Sequence, residues 1–402
     1  MSSNRHIGAM EMGTSKVSVL IGELVSSTGL HIVGIGECQS QGISKGGVTD
    51  ARKAGAAVHT AIELAEKAAG GVRLESVYLA QTGAHVDGFY NEGECPVSSP
   101  DGRASAADAR RAEALARSKR LPEGRTLLNE LRQPYRVDGR LVPDPEGIAG
   151  QKVCVGYWMV HADKARLRDS FGIVQDFGLN VRGVLLSGLA SGRMVTTPLE
   201  RQQGALALDI GAGTTDYVLY RDGAPRVAGV VAVGGNHLTN DLAMGLRLRE
   251  GDAERLKIRH GRAGKPAADR GERVWVDGSM GIGDRQVPLL AIEQILSARV
   301  AELFDVVKRK LGAEFTPEGV PAGVVLTGGA SKMEGMAEAA REVFGVPARL
   351  GEAPPWVDRE ELRDPRHSTA LGVLDYILLE EAGRKRPAGF AGFLQKIFGG
   401  EK

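Results

Sequence analysis

The sequence predicts an α/β fold made by duplication, with two β-rich α/β halves facing each other across a cleft. Three matched observations predict it. Segments 9–22 (AMEMGTSKVSVLIG) and 206–220 (LALDIGAGTTDYVLY) share one pattern. Each is an apolar strand ending in an acid, then a Gly/Thr turn, then a second alternating strand, which is the pattern of a β-hairpin. Downstream, GGVTD at 46–50 leads into a helical stretch at 51–69, and Gly234, Gly235, Thr239 and Asp241 lead into another. Finally, VYLAQTGA (77–84) and VVLTGGA (324–330) are both short apolar runs that break into Gly and Thr. Hairpin, Gly-Gly, helix, strand and Gly turn therefore recur in one order.

Residues 84–162 match neither copy and read as an inserted subdomain. Within it, 104–121 predicts a charged helix rich in Ala and Arg, and 153–160 a strongly apolar strand. Pro134, Pro143 and Pro145 mark loops. The polar stretch 259–273 reads as an exposed loop. Segment 292–311 reads as an amphipathic helix, with Ile292, Ile295, Leu296, Leu303 and Val307 on its apolar side.

Composition narrows the function. The 402 residues allow two to four domains. A net charge of +1 gives no single-signed field, which argues against nucleic acid as a partner. Cys38, Cys95 and Cys154 show no CxxC or Cys/His spacing, so a structural zinc site is not expected, and sparse thiols suit a reducing compartment. Residues 1–10 hold no signal-peptide core, and no apolar run reaches the ~18 residues that cross a bilayer. Any membrane contact is expected to be peripheral.

The two hairpin turns carry the candidate chemistry. Gly13, Gly211 and Gly213 let backbone N–H groups approach a ligand without an intervening Cβ. Consecutive amides form an anion nest. Thr14, Ser15, Thr214 and Thr215 add hydroxyls, and Lys16 can place a charge on a phosphate oxygen. Two such turns, one from each half, could clamp a phosphate tail. Glu11 and Asp209, just before the turns, suit a phosphate-bound Mg²⁺ held directly or through water. Asp216, beyond the second turn, could cap it or reach the metal's waters. A single Gly/Thr hairpin is ordinary turn chemistry; two matched copies with acids at equivalent places are far more specific. No GxxxxGK[ST] run and no GxGxxG after a strand is present, which argues against P-loop and Rossmann sites.

These residues resemble the superfamily of actin, sugar kinases and heat-shock chaperones. The resemblance implies an actin-like (ribonuclease H-like) fold, with duplicated domains around a nucleotide cleft, ATP as ligand and Mg²⁺ as its metal. Its phosphate loops match 11–16 and 209–216. Its adenosine motif is similar to GVVLTGGASKMEG (323–335), which implies Gly328, Gly329, Ser331 and Met333 at the nucleoside. Gly235, Glu254 and Lys257 are implied as further nucleotide contacts.

Several segments look specifically like the FtsA family of bacterial cell-division proteins: EMGTSKV (11–17), GISKGGVTD (42–50), SVYLA (76–80), GLAS (188–191), 252–261, 325–335 and STALG (368–372). They span nearly the whole chain in order. The resemblance implies a first actin-like core of 1–83, 163–199 and 366–383, and an FtsA-type insertion at 84–162. It implies a second core of 200–245 and 311–365, a small subdomain at 246–310, and a linker with a membrane-targeting helix at 384–402. It implies a filament-forming adaptor that anchors FtsZ to the cytoplasmic face of the inner membrane at the division site and helps recruit other division proteins. Arg299, near the start of the amphipathic helix, sits where the family presents an Arg to the acidic C-terminal peptide of FtsZ. Glu11 stands where actins usually have Asp, and GAG (211–213) replaces an all-glycine turn. SGLAS (187–191) offers no Gln or Glu to position water, so slow or negligible ATP turnover is expected.

The C-terminal residues support the tether reading. After the basic run Arg384, Lys385 and Arg386, a proline precedes GFAGFLQKIF (389–398). Phe390, Phe393, Leu394, Ile397 and Phe398 recur at helical spacing on one face. Such a helix suits an anionic membrane interface, with Lys396 and the basic run meeting lipid head groups at about 1 kcal/mol each. The other reading is a helix docked on the protein's own core or on a partner, against which the Pro/Gly linker favours detachment. Two other readings share the cleft. One is a PilM-like adaptor of pilus assembly, and the other is a small-molecule kinase, for which no motif argues.

Overall fold

The computed structural model describes residues 5–26, 29–267, 269, 271–276 and 283–381. The hydrophobic tail residues Phe390, Phe393, Leu394, Ile397 and Phe398, together with Lys396, lie outside these.

Two five-stranded sheets form the body of the molecule, and they are topological copies. The first runs Asn180–Leu186, Ser76–Gln81, Arg5–Met12, Lys16–Ser26, Gly29–Gln39. The second runs Ala348–Leu350, Val324–Thr327, Ala205–Ile210, Thr215–Arg221, Ala224–Val231. In each, the three strands of a meander pair antiparallel, and the remaining two add in parallel at the other side. The inner parallel strands are buried along their whole length: every residue of Ser76–Gln81 and of Val324–Thr327 is buried, as expected where helices cover both faces.

The helices follow local signals. Asp50 accepts the N–H of Lys53 at 3.1 Å and caps helix Ala51–Ala68. The second copy's helix, Gly235–Leu246, starts at the Gly234-Gly235 pair. Helices Ser187–Val195 and Ser368–Glu381 pack against each other. One apolar core draws on the first sheet, on these two helices, and on Ala207, Val218, Tyr220 and Val325 of the second sheet. A second core lies on the far face of the second sheet, around Leu206, Leu208, Phe304 and Phe344.

The insertion folds on its own sheet, in which the long strand Lys152–Asp163 pairs with Val86–Pro96, Arg125–Arg132 and Tyr135–Val137. Its helix spans Ala106–Ala116, shorter than the 104–121 read from composition. The reason is local. Ser105 and Asp108 close a capping box that starts the helix at Ala106, and past Arg117 the chain runs without helix into the turn before Arg125. The stretch 259–273 also differs from a simple exposed loop. Arg259 and His260 complete helix Glu250–His260, Ala263 is buried, and Arg262 is ion-paired to Glu334 and Glu338. Arg299 stands in the middle of helix Leu289–Leu311, which begins earlier than the apolar pattern implied.

Candidate functional site

The two hairpin turns meet. Gly13 N–H donates to Lys16 O at 2.9 Å, and Gly211 N–H to Thr214 O at 2.9 Å, so both turns close the same way. They also touch each other. A Cβ added to Gly213 would collide with Thr14 Oγ1, and would lie 3.0 Å from Lys45 N. Thr82 Oγ1 and Thr214 Oγ1 lie 3.4 Å apart. The second turn is tied to the next helix, because Gly235 N–H donates to Gly211 O at 2.9 Å and Asn236 N–H to Ala212 O at 2.8 Å.

Three carboxylates lie beside this junction. Thr369 Oγ1 donates to Asp209 Oδ2 at 2.8 Å. Asp216 accepts Thr82 Oγ1 at 2.7 Å and Gly188 N–H at 3.3 Å. Glu11 is part-exposed as a residue, yet its Oε2 is buried with no hydrogen-bond partner. Burial pushes the Glu11 carboxyl up to about 7, and Asp209 and Glu37 push the same way against Lys16. Burial likewise raises Asp209, and raises Asp216 well above the carboxylate range with help from Asp209 and Glu11. Clustered acids that resist ionisation are what a cation would relieve. Among the described residues no three acid, His or Cys side chains converge closely enough to hold a metal alone. That fits a Mg²⁺ whose shell is mostly water and phosphate oxygen. Together with the glycine cradle, the orphaned Glu11 oxygen makes the residues fit such a group.

The nucleoside residues also gather here. Gly328, at φ +85°, turns the chain out of strand Val324–Thr327 so closely past Asp209 and Ile210 that a Cβ would strike both. Ser331 Oγ donates to Gly328 O at 2.7 Å, within the short helical turn Gly329–Lys332. Met333 follows, packed partly into the second core. Lys257 Nζ lies 2.6 Å from Glu254 Oε2, 2.8 Å from Thr239 Oγ1 and 3.1 Å from Gly235 O. The helix pair Gly235–Leu246 and Glu250–His260 thus presents Glu254 and Lys257 as one linked unit. Thr215 points elsewhere, donating to Val233 O at 2.8 Å. Ser15 is exposed.

Lys16 has a partner that the sequence pattern did not disclose. Its ammonium sits 2.6 Å from Glu37 Oε1, and His367 and Arg366 also approach Glu37, at 3.3 and 3.8 Å. Glu37 lies on the adjacent strand, near the end of Gly29–Gln39, and only the strand register Ser18↔Glu37 brings it beside the turn.

Arg299 lies apart from the cleft. It is ion-paired with Asp241 and, at 2.7 Å, with Glu302. It lines a groove of about 530 Å³ between helices Gly235–Leu246 and Leu289–Leu311, beside Gly245, Ile295 and the exposed Met244.

Comparisons with known proteins agree with this architecture. Residues 206–372 match the model of the cell division protein FtsA, and residues 83–161 match the SHS2 domain inserted in FtsA. The cell division protein FtsA of Neisseria meningitidis is 33% identical over 400 residues, which cover 98% of this chain and 95% of that protein. The chain belongs to the FtsA family. FtsA of Pseudomonas aeruginosa is also 33% identical, over 95% of this chain and 91% of its own length. Among solved structures, the PilM–PilN type IV pilus biogenesis complex covers 94% of this chain and 98% of its own, at TM-score 0.59 and 18% identity. MreB5 of Spiroplasma citri bound to ADP covers 94% and 98%, at TM-score 0.58 and 13% identity. A MamK double helical filament covers 93% and 99%, at TM-score 0.53 and 12% identity. These three show the actin-like fold alone, and PilM is no nearer in sequence than that. The chain is therefore an actin-like cell division protein of the FtsA family. Among the described residues no helix is long and apolar enough to cross a membrane.

Proposed function

We propose that this protein is an ATP-binding adaptor that anchors FtsZ to the cytoplasmic face of the inner membrane at the division site. The observation that carries the reading is the meeting of two matched Gly/Thr turns beside three acids whose ionisation burial opposes, in a chain of the FtsA family. The backbone amides of Gly13, Gly211 and Gly213 and the hydroxyls of Thr14, Ser15 and Thr214 would receive the phosphates, while Thr215, its hydroxyl bonded to Val233 O, would hold the second turn in shape. Glu11 and Asp209 would hold Mg²⁺ through its waters, with Asp216 behind them. Gly235, Glu254, Lys257, Gly328, Gly329, Ser331 and Met333 would hold the nucleoside. The ADP bound by MreB5 in the same fold supports this assignment.

Turnover is proposed to be slow, because Ser187–Val195 offers the junction a backbone N–H and Ser191 but no side-chain base. Nucleotide would then act mainly on conformation and on self-association, and the MamK double helical filament supports self-association as something this fold can do. The acidic FtsZ C-terminal peptide is proposed to dock in the groove at Arg299, where its carboxylates would compete with Asp241 and Glu302. The subdomain limits are proposed as read from sequence: cores at 1–83, 163–199 and 366–383, and at 200–245 and 311–365, with 84–162 inserted and 246–310 the small subdomain. Residues 384–402 are proposed to lie on anionic lipid through Phe390, Phe393, Leu394, Lys396, Ile397 and Phe398.

Co-sedimentation with phosphatidylglycerol-containing vesicles and Mg·ATP tests the tether. The full chain should pellet and carry FtsZ with it, while a chain ending at Arg386 stays in the supernatant. Equal pelleting of both chains would remove the tail as anchor. Pelleting without FtsZ would remove the adaptor role.

A further inference from the structure

The segment GISKGGV (42–48) was not given a chemical role by its sequence, yet it stands at the centre of the cleft. It forms a tiny hairpin, with Ile43 opposite Val48 and Ser44 opposite Gly47. Its two tip residues, Lys45 and Gly46, are both left-handed, at φ +48° and +72°. This is the geometry of a tight two-residue turn, and a non-glycine residue in it is uncommon. The tip is anchored on several sides. Gly46 N–H faces Thr14 Oγ1 of the first turn at 3.4 Å. Lys45 O accepts Ala84 N–H at 3.2 Å. A Cβ on Gly46 would come within 2.6 Å of Gly83 Cα, so the tip lies flat on the Thr82–Gly83 backbone. On the other side, Lys45 N lies against Gly213 of the second turn. Lys45 therefore occupies the seam where the phosphate turns of the two halves meet.

Its side chain is spare. Lys45 is exposed, and its ammonium makes no salt bridge or hydrogen bond among the described residues, whereas Lys16 is held by Glu37 at 2.6 Å. The ammonium's field reaches His237, in the first turn of helix Gly235–Leu246 on the opposite half, and helps burial to lower that imidazole. An unpaired cation fixed on a costly backbone conformation beside two anion nests has one obvious use.

We propose that Lys45 is a phosphate-binding lysine of the nucleotide site, held by its hairpin to close on the polyphosphate tail from the seam between the halves. The inference rests on the nucleotide reading above and names a cation beyond those assigned to it. Gly46 serves the tip by lying where no side chain fits. Lys16, paired with Glu37, fixes the first turn to its sheet in the ligand-free molecule.

Equilibrium titration by calorimetry tests this on the full chain, with Mg·ATP, Mg·ADP and adenosine as ligands. Lys45→Asn removes the charge with a residue that tolerates the left-handed region, and Lys45→Arg restores a cation. Lys45→Asn should weaken Mg·ATP by about tenfold or more, the size of a hydrogen bond to a charged group. It should leave adenosine unchanged, and Lys45→Arg should recover most of the loss. The ligand-free melting midpoints of all three chains should coincide. Equal Mg·ATP affinity in Lys45→Asn and the parent would overturn the assignment while leaving the nucleotide site intact. Parallel losses for Mg·ATP and adenosine would also overturn it, by showing that the tip is only structural. Failure of the parent chain to bind any of the three would overturn the nucleotide reading itself.

Discussion

Glu11 holds a proton near neutrality because its carboxylate is buried beside two further acids, and Lys16 compensates only in part. A carboxyl whose folded pKa is raised binds its proton more tightly when folded. Its contribution to stability is therefore largest at low pH and is lost as pH rises from about 4.5 to about 7. The loss reaches at most about 3 kcal/mol, and solvent reaching the part-exposed residue reduces it. Glu11→Gln should abolish that loss. In urea denaturation without nucleotide, the variant should gain on the parent between pH 5 and pH 7.5 by about 1–3 kcal/mol. An unchanged difference across that range would show that Glu11 ionises freely. Mg·ATP should reverse the balance for the parent, since a cation at this place favours the charged form. The acids and the hydroxyls were legible in the sequence because two copies of one hairpin put them at equivalent positions. The partners of Lys16 and the role of Lys45 were not. Glu37 meets Lys16 through strand register, and Lys45 meets Gly213 across the cleft, and neither relation leaves a trace in local spacing.

At the scale of elements, the pairing of Ser187–Val195 with Ser368–Glu381 seats the site. The first helix delivers Gly188 N–H to Asp216, and the second delivers Thr369 to Asp209. Arg193 Nε, 2.6 Å from Asp375, ties the two together. Their separation depends on Gly372, where an added Cβ would strike the carbonyl of Ala190. Gly372→Ala gains roughly 1 kcal/mol in helix propensity. Overlap with a backbone carbonyl costs more, about 1–3 kcal/mol net once the helices are forced apart. Chemical denaturation should show that destabilisation, and nucleotide affinity should fall with it because Thr369 and Gly188 shift together. A variant more stable than the parent would mean that the helices separate without strain. The sequence carries STALG and SGLAS as separate short segments; that one glycine sets the distance between them is a fact of packing. The extent of the insertion's helix is hidden from composition for a related reason. Ala and Arg continue in composition beyond Ala116, but a capping box fixes where the helix begins, and helix composition alone does not mark where it ends.

At the scale of the whole molecule, the two halves are joined by more than the cleft. Ala207, Val218 and Val325 of the second sheet share an apolar core with Ile7, Val19 and Leu79 of the first. Thr327 Oγ1 bonds Ser368 Oγ at 2.9 Å, and Arg349 Nη2 donates to Val195 O at 3.1 Å. The insertion is also bonded to the second half, through Trp158 Nε1 to Ala228 O at 2.8 Å and Gln133 Nε2 to Pro225 O at 2.9 Å. A shared core makes the halves cooperative, so thermal unfolding should proceed as one transition rather than two. A ligand held by turns from both halves should then raise that single midpoint as a unit. At a hundredfold excess over its dissociation constant, Mg·ATP should add about 2.7 kcal/mol of stability. Scanning calorimetry with tryptophan fluorescence checks it, because Trp158 sits at the contact of insertion and second half and reports whether that contact is lost in the same step. Two transitions, with only one moved by nucleotide, would mean that the halves fold independently and that the nucleotide belongs to one of them, not to the seam between the two hairpin turns.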